Sequence, residues 1–315
     1  MKLAASVTNT TGVITINVSE SHNSPTASAV INAVSTSLDL GDEIEVYLGY
    51  EGSLERVFKG FVKQLEKTVP SNTYTITAYD EMIKATDYFI ASSTPDTQYT
   101  AMSISAEDLV EDLLEMASIT NYTSGTTYFT FGITHEIEVN LISSYDMCKT
   151  VADILAWHLW ADMNGTAHFE DRKPYVMDTD SSSKTLNSGI LRISSRISER
   201  ELRNRIVVYG YSNISAVAEA ESPYLPAGFR KSVVVASPWI DYQDIADAAA
   251  NYNLEKLNRL TKEVTLEIIG DSSVHARQIV TISEPYTNVT GDWYVFSCEH
   301  QWSTTGYTLS LELRD

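Results

Sequence analysis

Apolar and polar residues alternate through most of the first eighty positions. In Val13–Val18 a period of two puts Ile14, Ile16 and Val18 on one face, the signature of a half-buried strand. Glu43–Leu48 repeats it with Ile44, Val46 and Leu48, and Arg56–Lys67 sets Val57, Phe61 and Leu65 among charges. Tyr74–Tyr79 is a further β-rich run, and turn residues lie at Gly49–Ser53 and Pro70–Asn72. Between these strands, Ala27–Val34 is expected as a short helix packed on the sheet. Closely spaced strands with short turns predict a small barrel or folded-over sheet over residues 1–90.

The period then changes. Leu109, Val110, Leu113, Leu114 and Ala117 recur at helical spacing behind Ser105, with Glu107 and Asp108 in the first turn. A second helix starts near Ser144 and carries Met147, Val151, Ile154, Leu155 and His158 on its apolar side. It leads into Asn164-Gly165, a strong hairpin signal. Residues 91–185 therefore read as a mixed α/β unit. From 186 to 315 strands return at Ile206–Tyr209, Val264–Ile269, Trp293–His300 and Tyr307–Leu313. A loop and helix are inserted around 212–262, the helix spanning Ile245–Leu260 with Ala248, Tyr252, Leu254, Leu257 and Leu260 on its apolar side. The fold class is α+β, mainly β.

Charge narrows the function. With 22 Lys and Arg against 42 Asp and Glu, the formal charge is −20, which opposes a grip on nucleic-acid phosphates or docking on an anionic membrane. Cys148 and Cys298 stand apart without CxxC or CxH spacing, so buried free thiols are expected rather than a disulfide or zinc site. The start shows no apolar signal core, and no stretch is long enough for a membrane helix, so a protein made in a cytosol is expected.

No phosphate-binding glycine loop and no GxSxG elbow occur. His158, His168 and Asp162 flank the hairpin, but packing is the simpler role for His158 beside two tryptophans. Glu107 and Glu111 form one of the carboxylate pairs that an acidic chain produces by chance. The expectation is no catalytic, cofactor or metal site. Arg192, Arg196, Arg200, Arg203 and Arg205 concentrate positive charge between 192 and 205. They form either a solvated loop leading into a strand or a contact with carboxylates of a neighbouring subunit, which guanidinium forks suit.

Two stretches resemble a known family. Leu38–Tyr50 with Val57–Val62 resembles the N-terminal barrel of the late control protein D and baseplate-hub superfamily of bacteriophage tails, which includes the hub part of type VI secretion spikes. Tyr74–Asp80, then Met82–Ala85, is similar to its next strand and the segment after it. The helix ending in Trp157–Trp160 is similar to its middle domain, and Arg203–Gly210 to the "N-x-V-x-V-x-G" strand that opens its second barrel. Glu299–Trp302 with Gly306–Leu311 resembles its closing hairpin.

The resemblance implies two related β-barrel tube domains per chain, and a homotrimer whose six barrels form a pseudo-sixfold ring between the tail tube and a threefold spike. The spike fused to some relatives does not follow the second barrel here, so a separate spike protein is expected. The implied partners further comprise a tail tube or distal tail protein, a tape-measure protein and baseplate wedge proteins. DNA would pass through the ring without specific binding, and the place of work would be the virion tail. In a chain this acidic, a bore lined with Asp and Glu would repel the passing DNA rather than retain it. The other reading is a β-rich virion protein that binds carbohydrate or a receptor through its 18 Tyr and 5 Trp.

Overall fold

The computed structural model describes residues 2–91, 98–127, 129–171, 175–177, 180–284, 287 and 289–315. The first ninety residues form β1 (Leu3–Val7), β2 (Thr10–Ser21), β3 (Ser28–Thr36), β4 (Glu43–Tyr50), β5 (Ser53–Thr68) and β6 (Thr73–Tyr79), in the spatial order β1-β4-β5-β6-β3-β2. Inward positions of the pleat build one core from Ile16, Val18, Ile31, Ile44, Val46, Leu48, Phe58 and Ile76.

Two expectations fail here for local reasons. Ala27–Val34 is not a helix. From Ser28 on it lies in β3, a central strand between β2 and β6, where Ala29, Ile31 and Ala33 alternate inward. Ile14 is exposed, unlike Ile16 and Val18, because the β2–β3 register shifts between Val13 and Thr15 and a bulge rotates the intervening side chain outward.

The middle of the chain holds α1 (Ile83–Asp87), β7 (Phe89–Ile90), β8 (Tyr99–Ala101), β9 (Ile104–Ser105), α2 (Ala106–Met116), β10 (Tyr122–Ser124), β11 (Thr130–Phe131), β12 (Ile137–Val139), β13 (Ile142–Ser143), α3 (Ser144–Leu155), β14 (Trp157–Ala161) and β15 (Ala167–Asp171). Ser105 and Ser143 cap α2 and α3, each side chain accepting the N–H three residues on. Asn164-Gly165 turns the β14–β15 hairpin, with Gly165 at φ +81° and Asp162 accepting the N–H groups of Asn164 and Thr166.

The last part comprises β16 (Lys184–Leu186), β17 (Ile190–Ser198), β18 (Arg205–Tyr209), β19 (Ser215–Glu219), β20 (Ser232–Ala236), α4 (Gln243–Leu257), β21 (Thr261–Ile269), β22 (Ile279–Glu284), β23 (Val289–Ser303) and β24 (Gly306–Arg314). β18 does not open a second barrel. It is the centre of a separate sheet, β19-β18-β20, and its Ile206 and Val208 share one core with α2, α3 and α4. The reason lies in α4, whose buried face is Ala246, Ala249, Ala250 and Asn253. Small side chains let the sheet approach closely, while Asn253 donates to the Ile154 and Ala249 carbonyls. Ala248, expected on that face, points to solvent.

Candidate assembly interface

The remaining strands form a second module. Its order, β17-β21-β24-β23-β22, repeats β2-β3-β6-β5-β4 of the first, with every corresponding neighbour antiparallel. The flanking strands differ: β1 joins β4 antiparallel, whereas β16 joins β22 parallel.

The match extends to irregularities. β5 bulges between Val62 and Gln64 against β6, and β23 between Val295 and Ser297 against β24. β2 bulges between Val13 and Thr15, and β17 between Ile190 and Arg192. Before β4, the Gly41 N–H donates to the Val62 carbonyl at 2.8 Å. Before β22, Arg277 donates to Val295 at 2.6 Å, and both residues are left-handed (φ +89° and +70°). A bulge is an extra residue that the sheet pattern does not require, so the recurrence of two of them at matched positions marks two copies of one module.

The modules join edge to edge. β2 pairs antiparallel with the C-terminal half of β23, from Thr15 opposite Ser303 to Ser21 opposite Ser297. Trp302 and Tyr307 cross this seam into the first module's core, and Asn17 donates to Glu299 at 2.7 Å. Glu20, buried at the seam, accepts the Ala276 N–H at 3.1 Å and meets His275 Nδ1 at 3.5 Å. Burial pushes the Glu20 carboxyl up, but hydrogen bonding and charge from His275, with His300 and Arg277 behind, outweigh it and hold the group below its ordinary value. Fully buried His300 bonds the Tyr307 hydroxyl through Nδ1 at 2.8 Å, and burial followed by the His275 charge pulls it down to about 4.

A YQBQ-like family model matches residues 241–314. No curated protein sequence matches the chain. Among solved structures, a tail protein from Neisseria meningitidis MC58 is 13% identical with a TM-score of 0.70, over 100% of this chain and 97% of that one. The 43 kDa tail protein of prophage MuSo2 from Shewanella oneidensis is 12% identical with a TM-score of 0.68, over 99% and 97%. The E. coli c3393 protein, a type VI secretion component described as structurally similar to the T4 tail proteins gp27 and gp5, is 8% identical with a TM-score of 0.61, over 98% and 76%. The chain has the fold of a phage tail protein.

Within this tail-protein fold the five arginines part company. Arg192 and Arg196 lie exposed on β17, Arg196 pairing with Glu263 of β21. Arg203 donates to the Arg200 and Leu202 carbonyls, each at 2.8 Å, and Arg205 pairs with Glu219 of β19 at 3.4 Å. Arg203 thus braces the turn into β18 and Arg205 the β18–β19 pair, while Arg200 is exposed and enters the turn through its backbone.

Other candidates go to structure. His168 lies 3.4 Å from Asp162, while His158 points away into a cluster of His22, Tyr175, Tyr294 and Phe296. Glu107 accepts the Thr127 hydroxyl at 2.8 Å and Glu111 is exposed. Among the described residues, no three His, Cys, Asp or Glu side chains converge as a metal site would require. Sequence reading missed the seam residues Glu20 and His275, and placed Trp302 only within the closing hairpin. The alternation of Ile16, Val18 and Glu20 was the available signal, since it places a carboxylate on an inward face.

Proposed function

We propose that this chain is a structural baseplate hub of a phage tail or related injection machine, with no catalytic role. Three copies form a ring in which six tube modules imitate the sixfold tail tube while the assembly keeps the threefold symmetry of a spike. Residues 1–90 supply one module and the 186–315 region the other, and the mixed unit of 91–185, with the 205–257 segment packed on it, lies outside the ring sheet. A spike protein, the tail tube or distal tail protein, the tape measure and baseplate wedges are the neighbours, and DNA passes through without specific binding. Assembly takes place in the host cytoplasm.

The observation that carries this reading is the duplicated module, whose two copies share strand order and two matched bulge positions within one chain. A single duplicated chain is the simplest way to reconcile threefold and sixfold neighbours. The five tryptophans are buried or half-buried, so they offer no exposed platform for stacking sugars. The test is mass in solution with and without the spike protein, together with electron micrographs. Rings of three chains support the hub, and a monomer under both conditions counts against it.

A further inference from the structure

We infer that β17 of one chain adds as an antiparallel strand to the free edge of β5 in a second copy, repeating between chains the seam that β2 and β23 form within one. This deepens the ring reading above and rests on it for the number of copies, but the strand pairing is argued from the duplication itself.

In the module equivalence β2 corresponds to β17 and β23 to β5. Within the chain, β2 docks on the half of β23 that extends beyond its β22 partner. The matching half of β5 extends beyond β4, and among the described residues nothing pairs with its outer edge after Val62. β17 is likewise the terminal strand of its sheet. Long open edges are aggregation hazards that monomeric proteins blunt, and a strand addition satisfies them.

Carrying the seam register across sets Ser198 opposite Gln64, Ile197 opposite Leu65, Arg196 opposite Glu66 and Ser194 opposite Thr68. Charge and apolarity both match. Arg196 faces a carboxylate where Ser19 faces Glu299 within the chain. Ile197 takes the place of Glu20, and Leu40 takes the place of Ala276, the residue whose N–H Glu20 accepts. Ile197 and Leu40 are each 66% exposed in the free chain. The polar seam contact is thus replaced by an apolar pair that is uncovered until a second copy arrives. Val69, 79% exposed, takes the place of Trp302, which fills the neighbouring module's core across the seam.

Each chain presents both a β17 edge and a β5 edge, so the contact is head-to-tail and propagates in one sense until it closes. Cysteines placed by Glu66→Cys with Arg196→Cys test it in the full chain. Native Cys148 and Cys298 are buried and stay out of the reaction. Under mild oxidation the double variant forms covalent multiples ending at three chains, while the off-register pair Glu66→Cys with Arg192→Cys stays single. Ile197→Asp, at an exposed site, keeps the melting temperature but weakens association about tenfold or more. Three-chain rings by mass without the 66–196 link, or with equal linking off register, overturn the strand pairing while leaving the hub reading intact. A chain that stays monomeric and unlinked overturns both.

Discussion

His300 shows how a single side chain at the seam sets a pH dependence. Unfolded, its imidazole titrates near 6.5, whereas in the folded chain burial holds it near 4. Between those values the unfolded chain binds the extra proton, so stability is complete above 6.5 and falls as pH drops through 4, by about 3 kcal/mol for this group. His275, raised by its contact with Glu20 despite burial, acts in the opposite sense above 6.5. We expect His300→Gln to flatten the acid-side slope in denaturant titrations between pH 4 and 6.5; an unchanged slope would show that His300 is not its source. Trp302 makes a larger, pH-independent contribution, because its indole fills the other module's core. Trp302→Ala should cost about 3–5 kcal/mol and separate the modules, read as faster hydrogen exchange along β2; a loss below 1 kcal/mol would refute the shared core. Of these residues the sequence identified His300 and Trp302 only as part of a closing hairpin, since their place at the seam depends on the distant strand β2, whose Val18 and Ile16 lie opposite them.

At the scale of elements, strands were legible wherever alternation was uninterrupted, and unclear where geometry broke it. β4 and β6 follow their apolar period, but the bulge in β2 displaced Ile14, and β3 passed for a helix because Ala27, Ala29 and Ala33 carry helical propensity. Its pairing on both edges, a non-local property, decided the matter. The long strand β5 depends on another non-local feature. A Cβ at Gly60 would lie 2.1 Å from the carbonyl oxygen of Tyr79, the residue paired with neighbouring Phe61 at the end of β6. Gly60→Ala therefore forces the backbone apart and should destabilise by roughly 2 kcal/mol or more, measurable as a lower urea midpoint. By contrast, Gly41→Ala has open space and only its positive φ against it, so about 1 kcal/mol is expected. Equal losses at the two sites would refute this division between crowding and backbone strain.

The whole molecule turns on which face of the continuous sheet looks where. The cores lie on one face. The other carries rows of polar side chains, such as Glu66, Thr75, Asn32 and Thr15, in which Thr75 donates to Asn32 and Asn32 to Thr15, each at 2.8 Å. A second row runs from Ser19 through Glu299 and Ser310 to Glu267, with Arg192 opposite Glu267. The sequence made the two modules legible through strand motifs, but not that β18–β20 and α4 belong with the middle core, because apolar alternation does not say which core a strand joins. In the proposed ring this polar face surrounds the DNA path. Hydroxyls, amides and carboxylates repel or merely wet a phosphate backbone, whereas lysines would bind it and release counterions. Ser19→Lys with Gln301→Lys, both at exposed positions of that face, should leave ring mass unchanged and slow DNA release from assembled particles. The delay should shrink as salt rises, since screening weakens exposed charges beyond about 8 Å at physiological ionic strength. Release at the unmodified rate, in rings of normal mass, would place the DNA path on another surface.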